Sequence, residues 1–240
     1  MGSRLEDVQR DIRSTASPKR ATIARSFFKT GKGEYGHGDR FLGLTVPEQR
    51  RIARRYHDLR WADLHTLVRS RYHEERFVAL VILTGQFTYG NVHERARIVL
   101  RYLAAIPRSV NSWDLVDATA YHVLGEHLCA HPKERRVLVQ LAQSRSLWDR
   151  RVAIVATFAH IARGEFGVTF RIADLLLSDP HDLIHKAVGW MLREVGKRNR
   201  RALETFLRTR HARMPRTMLR YAIERFAEPQ RRAYLRRRVR

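Results

Sequence analysis

The stretch Ser112-Trp113-Asp114-Leu115-Val116-Asp117-Ala118-Thr119-Ala120-Tyr121-His122-Val123-Leu124-Gly125-Glu126-His127-Leu128 decides how this chain is read. Its apolar residues recur at helical rather than strand spacing, which predicts one long apolar helix. A shorter and more basic helical segment, Lys133–Gln143, follows the break at Pro132. Within the longer helix Trp113 and Asp117 are four residues apart and share a face, so an aromatic ring and a carboxylate stand side by side at its start.

The same alternation of a longer apolar helix with a shorter basic one extends in both directions. His73–Thr88 precedes Val92–Ala105, Leu147–Ala162 precedes Val168–Leu177, His181–Val195 precedes Arg200–Thr209, and Pro215–Phe226 precedes Gln230–Arg238. Each pair takes roughly 35–40 residues, the length of a HEAT-type repeat. One pair cannot bury its apolar stripe alone, whereas stacked pairs can. The pattern therefore predicts an all-α chain, an α-solenoid of HEAT-like helix pairs over residues 1–240 as a single domain, whose concave face is the natural binding surface; the charge and the resemblance given below make that face a basic, DNA-binding one. Upstream, Ser17 and Pro18 mark a helix start. Thr45 and Glu48 form a capping box around Pro47. Between them the glycine-rich segment Thr30–Gly43 reads as a flexible connector; it lacks the Gly-Lys-Ser/Thr ending of a Walker loop and follows no predicted strand.

Charge bounds the partner. Lys and Arg number 47 against 24 Asp and Glu, a formal net charge of +23, and only six of the basic residues are lysines. A polyanion is implied, and arginine's planar fork suits phosphate. An anionic membrane surface would call for one strongly amphipathic basic helix, whereas here the arginines are spread along the whole chain. They include the C-terminal run Arg231, Arg232, Arg236, Arg237, Arg238 and Arg240, which serves either as a solvated cap or as a DNA contact. No apolar run is long enough to span a bilayer, Met1–Gln9 has no signal-peptide core, and the single cysteine, Cys129, has no intrachain partner. A cytoplasmic monomer is the expectation.

His127, Cys129 and His131 lie two residues apart, and His181 and His185 could share a helical face, but neither set has the ligand count of a zinc site. No metal or other cofactor is expected, and no nucleophile elbow is present. What stands out are aromatic positions in register with the repeats. Trp113 opens one long helix, Trp148 the next, and Trp190 lies inside the one after, with Arg151 three residues beyond Trp148. If equivalent helices are adjacent, Trp113, Asp117, Arg151 and Trp190 meet on the concave face. The plainer alternative is that Asp117 pairs with an arginine and Trp113 is core.

In these segments the chain resembles the DNA alkylation repair family of alkylpurine DNA glycosylases built from HEAT-like repeats. The similar segments are Phe41-Leu42-Gly43-Leu44-Thr45-Val46-Pro47-Glu48, Ser112-Trp113-Asp114-Leu115-Val116-Asp117, Trp148-Asp149-Arg150-Arg151-Val152-Ala153-Ile154 and Lys186-Ala187-Val188-Gly189-Trp190-Met191-Leu192-Arg193-Glu194. They follow the family's order over most of the chain. The resemblance implies that Asp117 is the catalytic aspartate and that Trp113 and Trp190 cradle the modified nucleotide. Arg151, or its neighbour Arg150, would then grip DNA beside the lesion, with Trp148, Lys186 and Arg193 as further DNA-binding candidates. It implies a monofunctional N-glycosylase acting on double-stranded DNA that contains N3- or N7-alkylated purines. The competing expectation is a non-catalytic helical-repeat protein that binds nucleic acid by charge or serves as a scaffold.

Overall fold

The computed structural model describes residues 4–236, and all of its regular structure is helical apart from an isolated bridge between Arg40 and Tyr72. The contacts group into two compact units, Met1–Thr119 and Ala120–Arg240. No described helix is long and apolar enough to cross a membrane. Arg237, Arg238 and Arg240 of the basic run lie outside the described residues, while Arg231 and Arg232 pair with Glu228 at 3.1 and 2.9 Å.

The first unit contains α1 (Arg4–Ser14), α2 (Pro18–Phe27), α3 (Val46–Arg55), α4 (Trp61–Val68), α5 (His73–Tyr89), α6 (Val92–Ser109) and α7 (Trp113–Asp117). The expected caps form: Ser17 Oγ accepts from the Arg20 amide with Pro18 in the first turn, and Thr45 and Glu48 complete a reciprocal capping box. Helix α5 is the axis of the unit, packing against α3, α4, α6 and α7. Leu64, Leu67, Val78, Leu80, Leu83, Tyr102 and Leu115 are sealed from solvent there.

In the second unit a π-helical turn (Tyr121–Gly125) leads into α8 (Glu126–Ala130), and a 3₁₀ turn (Pro132–Glu134) precedes α9 (Arg136–Ala142). Then follow α10 (Leu147–Ala156), α11 (Phe158–Ala162), α12 (Phe166–Leu175), α13 (Asp182–Arg198), α14 (Arg200–Arg210), α15 (Arg216–Ala222) and α16 (Glu228–Arg236). The helices at equivalent repeat positions do pack on one another here: α10 on α13 and α13 on α15, with α12 and α14 also against α13. Gly189 permits the α13–α15 approach, because a Cβ there would run into the Met218 carbonyl oxygen and the Tyr221 Cβ.

Two predicted helices are each broken. Ser112–Leu128 divides into α7, the π-helical turn and α8, and Leu147–Ala162 divides at Thr157. A buried threonine sits at each break. Thr119 Oγ1 donates 2.5 Å to the Leu115 carbonyl, and Thr157 Oγ1 donates 2.7 Å to that of Ile154. Such back-bonding competes with the helical ladder, and an apolar pattern alone does not report it.

The glycine-rich segment is also more organised than a flexible connector. Successive turns fold it back, with Gly36 N–H donating to Lys29 O and Asp39 N–H to Gly36 O. Its end is clamped by the buried Glu74, whose carboxylate accepts from the amides of Leu42, Gly43 and Leu44 at 2.7–3.3 Å. Gly43 adopts φ +88 and lies against the Ser17 carbonyl and Ala21 amide, where no side chain fits. The Phe-Leu-Gly-Leu segment thus has a structural explanation: a three-amide cradle for one buried carboxylate.

Candidate active site

Helix α5 begins with four consecutive ionisable residues, His73, Glu74, Glu75 and Arg76, all buried. Groups of this kind are costly to bury unless paired. His73 is paired twice: Nδ1 is 3.0 Å from Asp39 Oδ2 and Nε2 is 2.8 Å from Asp114 Oδ2. Burial alone would lower the His73 pKa, but the charges and hydrogen bonds of Asp114 and Asp39 outweigh it and push the value to about 9. At neutral pH the ring is therefore an imidazolium that donates from both nitrogens. Burial acts to raise the Asp39 pKa, yet His73 and Arg76 hold it below the usual carboxylate value. Arg76 Nη2 donates 2.5 Å to Asp39 Oδ1 and 3.1 Å to Asn111 Oδ1. The start of α7 is thereby fastened to α5 on both sides of Ser112.

That anchoring positions Trp113. Its ring stacks on Phe28 at 5.3 Å and meets the edge of Phe27 at 5.8 Å. Phe28 stacks in turn on Phe41 at 5.0 Å, and Phe41 on His73 at 4.6 Å. Trp113 is the half-buried end of an aromatic column, and Phe27 beside it is 63% exposed. Asp117 lies one helical turn further on α7, half-buried, so the pair expected on one face is carried by an observed helix. Its charge contributes to raising the pKa of the buried Tyr102, after desolvation as the main cause, while the Tyr102–Thr119 hydrogen bond acts in the opposite sense.

The second unit carries the remaining candidates. Trp190, on α13, is half-buried beside Phe158 at 6.4 Å, and Phe158 meets Tyr121 edge-on at 5.1 Å. The Arg198 guanidinium sits 5.4 Å over the Phe158 ring. Arg151 is buried on α10 and donates 2.6 Å to the Leu183 carbonyl beside the start of α13. Arg150 is held differently, by Asp179 at 2.6 Å and by the carbonyls of Ser144 and Arg145. Lys186 pairs with Asp182 at 2.7 Å, and Arg193 with Glu224. Phosphate contacts by Arg150, Lys186 or Arg193 would compete with these carboxylates. Trp148 is half-buried in the first turn of α10.

Sequence reading missed Phe27, Phe28, Phe41, Asp39 and His73 in the first unit, and Tyr121 and Phe158 in the second. The signal available for the first group was the run of four ionisable residues opening an apolar helix, which demands buried partners elsewhere. Among the described residues no group of three or more His, Cys, Asp or Glu side chains could hold a metal. His127 instead contacts Glu134 at 2.9 Å, and its ring stacks on His131.

Comparison with known proteins bears on the whole chain. A solved structure described as a predicted DNA alkylation repair enzyme from Enterococcus faecalis is similar to this one with a TM-score of 0.71. The two are 19% identical, over 89% of this chain and 98% of the other, a likeness of fold. No curated protein matches. The family model described as DNA alkylation repair enzyme matches residues 8–226, and the chain belongs to that family.

Proposed function

We propose that the protein is a monofunctional DNA N-glycosylase that releases positively charged N3- and N7-alkylated purines and leaves an abasic site. The observation that carries the reading is α7. In a chain of net charge +23, it sets a half-exposed carboxylate, Asp117, one turn from an aromatic face, Trp113, fixed by the Phe28 stack. A protein that bound nucleic acid by charge alone would have no use for a carboxylate there.

The chemistry suits these residues. An N3- or N7-alkylated purine already carries a positive charge, so its C1′–N bond is weak and the base needs no general acid. The bond breaks heterolytically, and its electron pair leaves with the base and neutralises it. Water adds to C1′ and gives up a proton, and the sugar becomes abasic. The barrier lies in the positive charge that develops on the sugar. Asp117 stabilises that charge and orients the water. The negative faces of Trp113 and Trp190 favour cationic nucleotide and sugar by about 0.5–2 kcal/mol per contact. Arg151 grips the phosphate, with Arg150, Lys186, Arg193 and Trp148 as secondary DNA contacts. His73 takes no part in bond breaking; held between Asp39 and Asp114, it positions the start of α7.

Incubation with methylated duplex DNA, scored for free methylated purine and for abasic sites, tests the reading. Release of free base without strand scission supports it. DNA binding with no released base would leave a non-catalytic binder.

A further inference from the structure

A second surface of the first unit has the composition of a protein-docking site. About 18 Å along α5 from His73, by the rise from residue 73 to residue 85, a hollow of about 890 Å³ opens between the α3–α4 connection, the far half of α5 and the first half of α6. A second hollow of about 350 Å³ continues it between α4 and the latter half of α6. Trp61 and Arg101 line both, with the Arg101 guanidinium 4.4 Å over the indole ring, so the pair forms a ridge between the two. From Glu94 to Ser109 the combined groove follows α6 for roughly 22 Å.

Its floor is apolar and its rim cationic. Ile82, Ile98 and Leu59 form part of the floor of the larger hollow. Tyr89 on its rim is 91% exposed, and Leu100, which lines the smaller hollow, is 68% exposed. Arg54, Arg60, Arg97 and Arg101 surround it, and Arg69 lines the smaller hollow. Glu94 is the one acidic side chain lining either, and its carboxylate is occupied by the Asn91 amide at 2.8 Å. A half-buried tryptophan with an exposed tyrosine and exposed arginines around an apolar groove are the residue types that dominate protein–protein hot spots. A DNA backbone would engage the arginines but leave Tyr89 and Leu100 in water.

We propose that this groove docks an acidic amphipathic helix of a partner protein. Its apolar side chains lie along the floor on either side of the Trp61–Arg101 ridge, and its carboxylates meet the arginine rim. The groove length corresponds to about four helical turns.

The test uses a fluorescently labelled designed peptide of about 15 residues, with leucine at helical spacing and glutamate elsewhere. A scrambled peptide of the same composition and an undamaged duplex serve as comparison probes, all at near-physiological salt. Two variants preserve the fold. Tyr89→Ala trims an exposed ring. Gly85→Leu fills the groove from α5, where a Cβ meets nothing within 4 Å and leucine is the better helix former. The amphipathic peptide should bind more tightly than the scrambled one, and each variant should weaken it by about thirtyfold, the scale of losing a hot-spot contact. Duplex affinity should be unchanged in both. Equal binding of the two peptides, no peptide binding, or unaltered affinity in Gly85→Leu would overturn the proposal. Loss of duplex binding in the same variants would make the face a nucleic-acid contact instead.

Discussion

Replacing His73 tests whether the start of α7 is held by charge. The imidazolium is sealed between Asp39 and Asp114, with Arg76 on the far side of Asp39 and the Phe41 ring stacked on it. Its pKa rises from an ordinary 6.5 to about 9 in the folded protein, and at about 1.4 kcal/mol per unit this is a stabilisation of roughly 3 kcal/mol. Below pH 6.5 the ring is protonated in both folded and unfolded chains, so the contribution is fully present. Between 6.5 and 9 the unfolded chain gives up the proton while the folded one keeps it, and stability falls with rising pH. Above 9 the contribution is gone. Urea unfolding as a function of pH should therefore show the wild-type protein losing roughly 3 kcal/mol across this window. His73→Gln should be less stable by a comparable amount near pH 6.5, flat through the window, and close to wild type at its upper end. A wild-type curve that is level from pH 6.5 to 9, or a His73→Gln curve that keeps the slope, would refute the account of His73.

Three other outcomes follow from particular contacts. Glu74→Gln should cost about 2 kcal/mol in urea unfolding, because an amide replaces the carboxylate that collects three backbone amides. Arg151→Ala should weaken DNA binding and slow base release together, whereas Arg150→Ala should chiefly lower the melting temperature, since Arg150 is committed to Asp179. The reverse result would move the phosphate grip to Arg150, and no effect on DNA from either would leave Arg151 as a structural link to Leu183. Affinity for undamaged duplex should fall steeply along a salt series as released counterions cease to drive binding, and a flat response would remove the nucleic-acid reading altogether.

Much of the architecture was legible in helical periodicity and cap chemistry. Ser17, Pro18, Thr45 and Glu48 act where their residue types indicate. The stacking of α10, α13 and α15 follows the repeat spacing. The two broken helices were not legible: a buried hydroxyl turns back on its own turn at each break, Thr119 and Thr157, and an apolar count does not register it. At the candidate site, the pairing of Trp113 with Asp117 needed only a four-residue interval. The column beneath Trp113 brings together residues 28, 41 and 73, whose sequence separation no local pattern encodes. Asp39 was hidden for a related reason: among glycines it reads as loop, yet it is one of the most deeply buried acids of the first unit, with a side chain 4% exposed.

The central claim is that Asp117 stabilises developing positive charge on the sugar, and Asp117→Asn tests it most directly. The amide keeps the shape and can still hydrogen-bond, but the charge is gone. Single-turnover release of methylated purine from saturated enzyme–DNA complexes should fall by about ten- to a thousand-fold, the scale of losing one electrostatic stabiliser. DNA affinity should be equal or slightly tighter, the melting curve close to wild type, and the loss smallest for the most labile adducts. An undiminished single-turnover rate in Asp117→Asn would falsify the catalytic assignment and leave Asp117 a structural acid.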